Sequence, residues 1–208
     1  MPLRGTSSQR THQRIIIAHH LVLTGYGHWF PNDPRRSGSI ELRAPKLADL
    51  GPIHHGRKPI QPPRQDLRNF SQNAKPLLNH TPLWFDPAKR QSISNAFAHA
   101  TKEFNYTCYA CAILSNHAHL LLRRHRDDAN TMWDIFTHHA RESLLTFQDV
   151  TPDHPIWSDR PYKVFCYTPT DIEDRIDDIC SNPAKENLPS QSFPFITPYN
   201  GWPHPKPK

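Results

Sequence analysis

Apolar and polar positions alternate along this chain in compact blocks, each bounded by turn residues or proline. The first block, IIIAHHLVLT, runs from Ile15 to Thr24 and contains no breaker. Its β-branched residues predict a strand. Asp86-Pro87 then has the form of a helix start, with Asp as cap and Pro in the first turn. Ile93, Ala96, Phe97 and Ala100 follow on one face of a helix that runs to about Glu103. TCYACAILSNHAHLLLRR comes next. It reads as two strands joined by a turn near Ser115-Asn116, or as one long bent strand. Asp127 or Asp128 caps a further helix through Met132, Ile135, Phe136, Leu144 and Leu145. Tyr162 to Tyr167 is another strand. Thr168-Pro169-Thr170-Asp171 is a capping box that opens a last helix through Ile172, Ile176 and Ile179. That helix is expected to stop before Asn182-Pro183. This order predicts an α+β fold: a ferredoxin-like sandwich whose helices lie on one face of a mainly antiparallel sheet.

The 22 prolines are concentrated between and after these blocks. Proline breaks both helices and ladders. Residues 31–85 therefore read as an insertion, with a short element around Leu67 to Leu78. Residues 189–208 read as a Pro- and aromatic-rich tail. Residues 1–13 are polar and basic and read as disordered. A single domain over residues 14–188 is expected between them.

Composition narrows the class further. The chain has 208 residues, enough for a core without covalent staples. No apolar run approaches the roughly 20 residues of a membrane helix, and His19-His20 interrupt the only early apolar stretch, so neither membrane span nor signal peptide is expected. Four unevenly placed Cys do not form a disulfide framework, which suits a reducing cytoplasmic setting. A net charge of +6 favours polyanionic partners only weakly.

The candidate chemistry lies among the 15 histidines. In a strand, positions i and i+2 share a face, so His117 and His119 project side by side about 7 Å apart. That spacing suits joint ligation of one metal ion. Alone, so short a pattern reads first as two histidines on the solvated face of a half-buried strand. His19 and His20 face opposite sides, so only one of them could join such a site. His54-His55 and His138-His139 read as surface residues. Cys108 and Cys111 have C-x-x-C spacing, but inside a strand this separation puts the sulfurs on opposite faces. They read as buried and inert rather than as a zinc knuckle.

At ACAILSNHAHLLLRRHR (110–126) the chain resembles the HUH motif region of the single-tyrosine transposases, in particular their REP-associated branch. Two further stretches agree in order and spacing. HHLVLTGYGHWFPNDPRRSGS resembles the opening strand of that branch, and IWSDRPYKVFCYTPTDIEDRIDDICSNPAKENLP resembles its C-terminal segment. The resemblance spans roughly residues 15–200. It implies a protein of DNA transposition that binds single-stranded or hairpin DNA. In that family a tyrosine attacks a DNA phosphodiester, and a divalent ion, Mg²⁺ or Mn²⁺, is held by the histidines that match His117 and His119. Asn182 would be the third ligand, although it also reads as a helix cap. Arg123, Arg124, Arg126 and Lys163 would hold DNA backbone, or else form an ordinary solvated surface. Tyr26, Trp29 and Phe30 would stack unpaired bases or pack against the core. A monomer is favoured, with a dimer as the alternative.

The chain departs from the family at the nucleophile. Four residues before the Asn of Asn-Pro, where the family carries Tyr, stands Asp178. Its carboxylate reads first as a solvated helix residue, then as a metal ligand or a nucleophile toward phosphorus. Tyr167 is the one stand-in considered; Tyr162 reads as packing. The expectation is a transposase-like protein with impaired catalysis. Two alternatives stay open: a metal-binding or protein-interaction module with no DNA role, and a hydrolytic nuclease using metal and water.

Overall fold

The computed structural model describes residues 14–42, 44–56 and 60–203. The expected disorder of residues 1–13 concerns a segment outside them. Strand β1 spans Ala18–Thr24, β2 Cys108–Ile113, β3 His117–Arg123 and β4 Tyr162–Cys166. They form one antiparallel sheet in the order β2-β3-β1-β4. The helices are α1 (Arg64–Ala74), α2 (Pro87–Glu103), α3 (Ala129–Leu144) and α4 (Pro169–Lys185). The class is α+β with an antiparallel sheet, as the pattern predicts.

Local chemistry accounts for the element starts. The Asp86 side chain accepts from the Lys89 N–H at the head of α2. Asp128, not Asp127, caps α3, accepting from the Asn130 and Thr131 N–H groups. Asp127 is turned instead toward the Tyr106 hydroxyl, which donates to it at 2.8 Å. The capping box at Thr168 is complete: Thr168 accepts from the Asp171 N–H, and the Asp171 carboxylate accepts from the Thr168 N–H. Of the two readings of residues 107–124, the hairpin is correct. The Leu114 N–H donates to the His117 carbonyl across a two-residue turn, Ser115-Asn116.

Every residue of β2 is buried, so both sheet faces are covered. Helices α2 and α3 pack on the face that carries Leu21, Leu23, Leu120, Leu122 and Ile113. Helix α4 crosses the other face, with Ile172 and Ile179 against Ala18, Ala110, Ala112, Leu121 and Cys166. The expected placement of all helices on one face is thus corrected for α4. The small side chains of Ala110 and Ala112 are the reason, because they let a helix approach the sheet closely.

Two other expectations change. Helix α4 runs on through Pro183 to Lys185. Proline lacks an N–H, but in the last turn that loss is small and both Asn182 and Pro183 are buried. The Cys108–Cys111 pair does not straddle the sheet. The register shifts between Cys108 and Ala110, and one extra residue restores both sulfurs to the α2–α3 face. Both thiols are buried and free. Burial holds the Cys108 thiol up at about 12 and that of Cys111 well above the usual range, an environment that suits the inert reading.

The insertion holds α1 and short turns of 3₁₀ helix over Pro45–Leu50 and Lys75–Leu77. The tail returns along the β2 edge. There the Thr197 N–H donates to the Cys108 carbonyl, and the Gln191 side-chain amide bonds both the N–H and the C=O of Ile113.

Candidate functional site

Strand register builds the site. On β3, His117, His119, Leu121 and Arg123 face the α4 side. Antiparallel pairing sets Thr24 opposite His117, Val22 opposite His119 and His20 opposite Leu121. His20 therefore joins the pair, and His19 points to the other face. His20 Nε2 and His119 Nδ1 lie 2.9 Å apart and share one proton's hydrogen bond. The His117 and His119 rings are 4.9 Å apart. His117 Nδ1 donates to Asn116 Oδ1 at 2.7 Å.

The hairpin tip that carries Asn116 is clamped. The Phe85 N–H donates to the Ser115 carbonyl, and the Gly25 N–H to that of Asn116. A Cβ at Gly25 would lie 2.8 Å from the Asn116 carbonyl oxygen, so only glycine allows this approach. Glu186 accepts from the Ser115 N–H and hydroxyl through Oε2, and its Oε1 lies 4.0 Å from His117 Nδ1.

Helix α4 supplies the wall. Arg175, Asp178, Asn182 and Lys185 recur at helical spacing and form one row beside the buried Ile172–Ile179 stripe. Lys185 Nζ donates to Asp178 Oδ1 at 3.2 Å and to Asn182 Oδ1 at 2.8 Å. Arg175 lies 3.5 Å from the other Asp178 oxygen. Asp178, 44% exposed, is a solvent-facing helix carboxylate that lies between two cations. Val22, Thr24, Tyr162 and Val164 on the same sheet face are only partly covered, which leaves an open floor beside the imidazoles. Trp29 borders it, 6.2 Å from the His117 ring. The Arg35 guanidinium lies 4.0 Å over Trp29 and is held by the buried Asp33 carboxylate at 2.6 Å.

Electrostatics keep the imidazoles neutral. Burial drives His20 down to about 4; the Arg175 charge adds to this and Asp178 opposes it. Burial likewise holds His119 well below its ordinary value, with His117, His20 and Lys185 adding to the effect. His117 is lowered by burial against the opposing Glu186 charge. Neutral imidazole is the metal-ligating form. The Nδ1 atoms of His117 and His119 are both engaged, which orients their Nε2 atoms as ligands, the usual support for a metal-binding histidine. This donor set fits a divalent ion at His117 and His119. The Asn182 oxygen is taken by Lys185.

The remaining sequence candidates lie elsewhere. Arg123 shares the imidazole face, but four residues along β3 is about 13 Å, and its guanidinium lies 3.9 Å over the Trp202 ring. Arg124 and Tyr167 line a separate cleft of about 720 Å³ with Arg14 and Trp202. Tyr167 follows Cys166, which pairs with Ala18 at the far end of β1 from Thr24, so it does not approach the histidines. Arg126 is exposed beside Asp127. Lys163, paired with Leu21, faces the opposite side and donates to Asn130 Oδ1. Of the aromatics, Trp29 borders the site; Tyr26 packs against His80 and His154, and Phe30 against Phe70. Sequence reasoning missed Arg175, Lys185 and Glu186. The i−3 and i+7 spacings from Asp178 would have pointed to Arg175 and Lys185.

No protein-family model matches this chain, and no curated protein matches it. Among solved structures it is similar to one described as a REP-associated tyrosine transposase bound to a REP hairpin. The likeness covers 90% of this chain and 81% of that one, at 13% identity and a TM-score of 0.45.

Proposed function

We propose that this chain is a transposase-like protein that binds single-stranded or hairpin DNA and holds a divalent ion, Mg²⁺ or Mn²⁺, between His117 and His119. In this reading its strand-cleaving activity is impaired because Asp178 stands where a tyrosine would attack. The observation that carries it is the grouping of three neutral imidazoles with the Arg175–Asp178–Asn182–Lys185 row across an open sheet floor.

Each part has a physical role. A bound divalent ion would withdraw charge from a phosphodiester and ease attack on it. His20 orients His119, and Asn116 orients His117, through their Nδ1 atoms. Lys185 and Arg175 on α4 would meet a phosphate on this floor. Their attraction is reduced, because Asp178 engages both and adds its own repulsion toward a phosphate. Trp29 and its stacked Arg35 offer a flat surface to an unpaired base. Arg123 and Arg124 would meet the backbone farther along a bound strand. The protein acts as a monomer in the cytoplasm in this reading; among the described residues, no helix is long and apolar enough to cross a membrane.

Incubation with hairpin DNA and Mn²⁺, followed by denaturing electrophoresis, tests the catalytic part. The wild-type chain should form no covalent adduct, and Asp178→Tyr should form one. A wild-type adduct that disappears in Tyr167→Phe would overturn the impaired reading. The DNA part is tested by titration at two salt concentrations. Affinity should fall as salt rises, because phosphate contacts release counterions. Affinity that does not respond to salt would favour a module without a DNA role.

A further inference from the structure

On the opposite side of the sheet, two helices bring together residues that the site above does not use. His99 and Glu103 lie four residues apart in the last turns of α2, and His139 faces them from α3. His99 Nδ1 is 3.2 Å from Glu103 Oε2, and His139 Nε2 is 3.6 Å from the same oxygen. One ligand atom from each residue lies within 4.8 Å of the others. The His99 and His139 rings are 5.3 Å apart, and Phe104 sets its ring against that of His139 at 77°.

We propose that His99, Glu103 and His139 form a second metal site, of zinc type, that joins the end of α2 to α3. The distances carry the argument. Bonds of about 2.0–2.1 Å to nitrogen and oxygen in a tetrahedron place ligand atoms roughly 3.3 Å apart. Two edges of the triangle already have nearly that length. Two imidazoles and one carboxylate are a set that zinc accepts, with water in the fourth position. Imidazole is a ligand that suits zinc.

The cost of forming the site is small. His99 and Glu103 are 69% and 48% exposed, so neither a charge nor an ion has to be buried. His99 is free to turn the remaining distance. His139, 21% exposed and lodged beside Phe104, is the fixed member. The ion would bind the folded chain and not the unfolded one, and so would stabilise the α2–α3 pair.

Calorimetric titration of Zn²⁺ into the full chain carrying His117→Ala and His119→Ala isolates this cluster. One Zn²⁺ per chain is expected, with affinity at least tenfold weaker after His99→Ala or His139→Ala. Equal affinity in those variants, or no uptake by about 1 mM Zn²⁺, would overturn the proposal. If the doubly substituted background fails to fold, Co²⁺ absorption of the otherwise native chain serves instead. Its saturation should fall by one equivalent on His99→Ala, and an unchanged stoichiometry would overturn the proposal equally.

Discussion

Asp178 and His20 show how far a residue's behaviour depends on neighbours distant in sequence. In the chain, Asp177-Asp178 is a plain acidic pair. In the fold, Asp178 holds Lys185 and Arg175 and acts on His20 across the helix–sheet boundary. His20 is 3% exposed, and its folded value of about 4 lies below the ordinary 6.5. The unfolded chain therefore takes up a proton first as pH falls. Stability from this group is intact above about pH 6.5 and is lost between there and about pH 4. The His20 contribution alone is about 2 kcal/mol between pH 7 and pH 5, at 1.36 kcal/mol per pKa unit. His117 and His119 add in the same direction. Urea unfolding of the metal-free protein should show this loss, and His20→Asn should make the pH slope shallower. An unaltered slope in that variant would contradict a buried neutral His20.

Among the elements, α4 decides the most. It lies on the sheet over Ala110 and Ala112, two side chains small enough to admit it. Ala112→Leu inserts bulk between sheet and helix without opening a cavity, and overpacking of this kind costs roughly 1–3 kcal/mol. The same substitution should lift Asp178 and Lys185 away from the imidazoles. Denaturant titration should show the lost stability, and an increase in metal-free hairpin affinity on that variant would argue against α4 as the wall of the DNA site. The β2–β3 hairpin is the second deciding element. Its tip is bonded by Phe85, Gly25 and Glu186, three distant parts of the chain, so the His117–His119 strand is held at the end that carries the two imidazoles.

The whole molecule is a sheet with two unlike faces. One is sealed by α2 and α3, and the other is half covered by α4 and half open. The edges are also unlike. The β2 edge is covered by the tail through Gln191 and Thr197. An uncovered strand edge invites pairing with another chain. Truncation after Pro189 should therefore lower stability and raise light scattering at micromolar concentration, whereas a soluble, equally stable truncation would show that the tail is dispensable. Net charge has a limited role at this scale. Of the basic residues read as a DNA-binding set, Arg124, Arg126 and Lys163 are directed away from the imidazoles, and Arg123 is stacked on Trp202. The open floor instead draws its positive charge from Arg175, Lys185 and Arg35.

What the sequence determined by itself was local. The caps at Asp86 and Thr168, the turn at Ser115-Asn116 and the helical stripes were all readable, because each depends on residues within a turn or two of one another. The common face of His117 and His119 followed from a period of two. Tertiary structure decided what depends on register and on side. Pairing of β1 with β3 brought His20 to His119, and one bulge returned Cys108 to the face of Cys111. The burial of Asn182 and Pro183 carried α4 past its expected end. The side on which α4 lies set the charges of Arg175 and Asp178 beside His20. Such outcomes belong to contacts between residues up to a hundred positions apart, and no periodicity within a single segment encodes them.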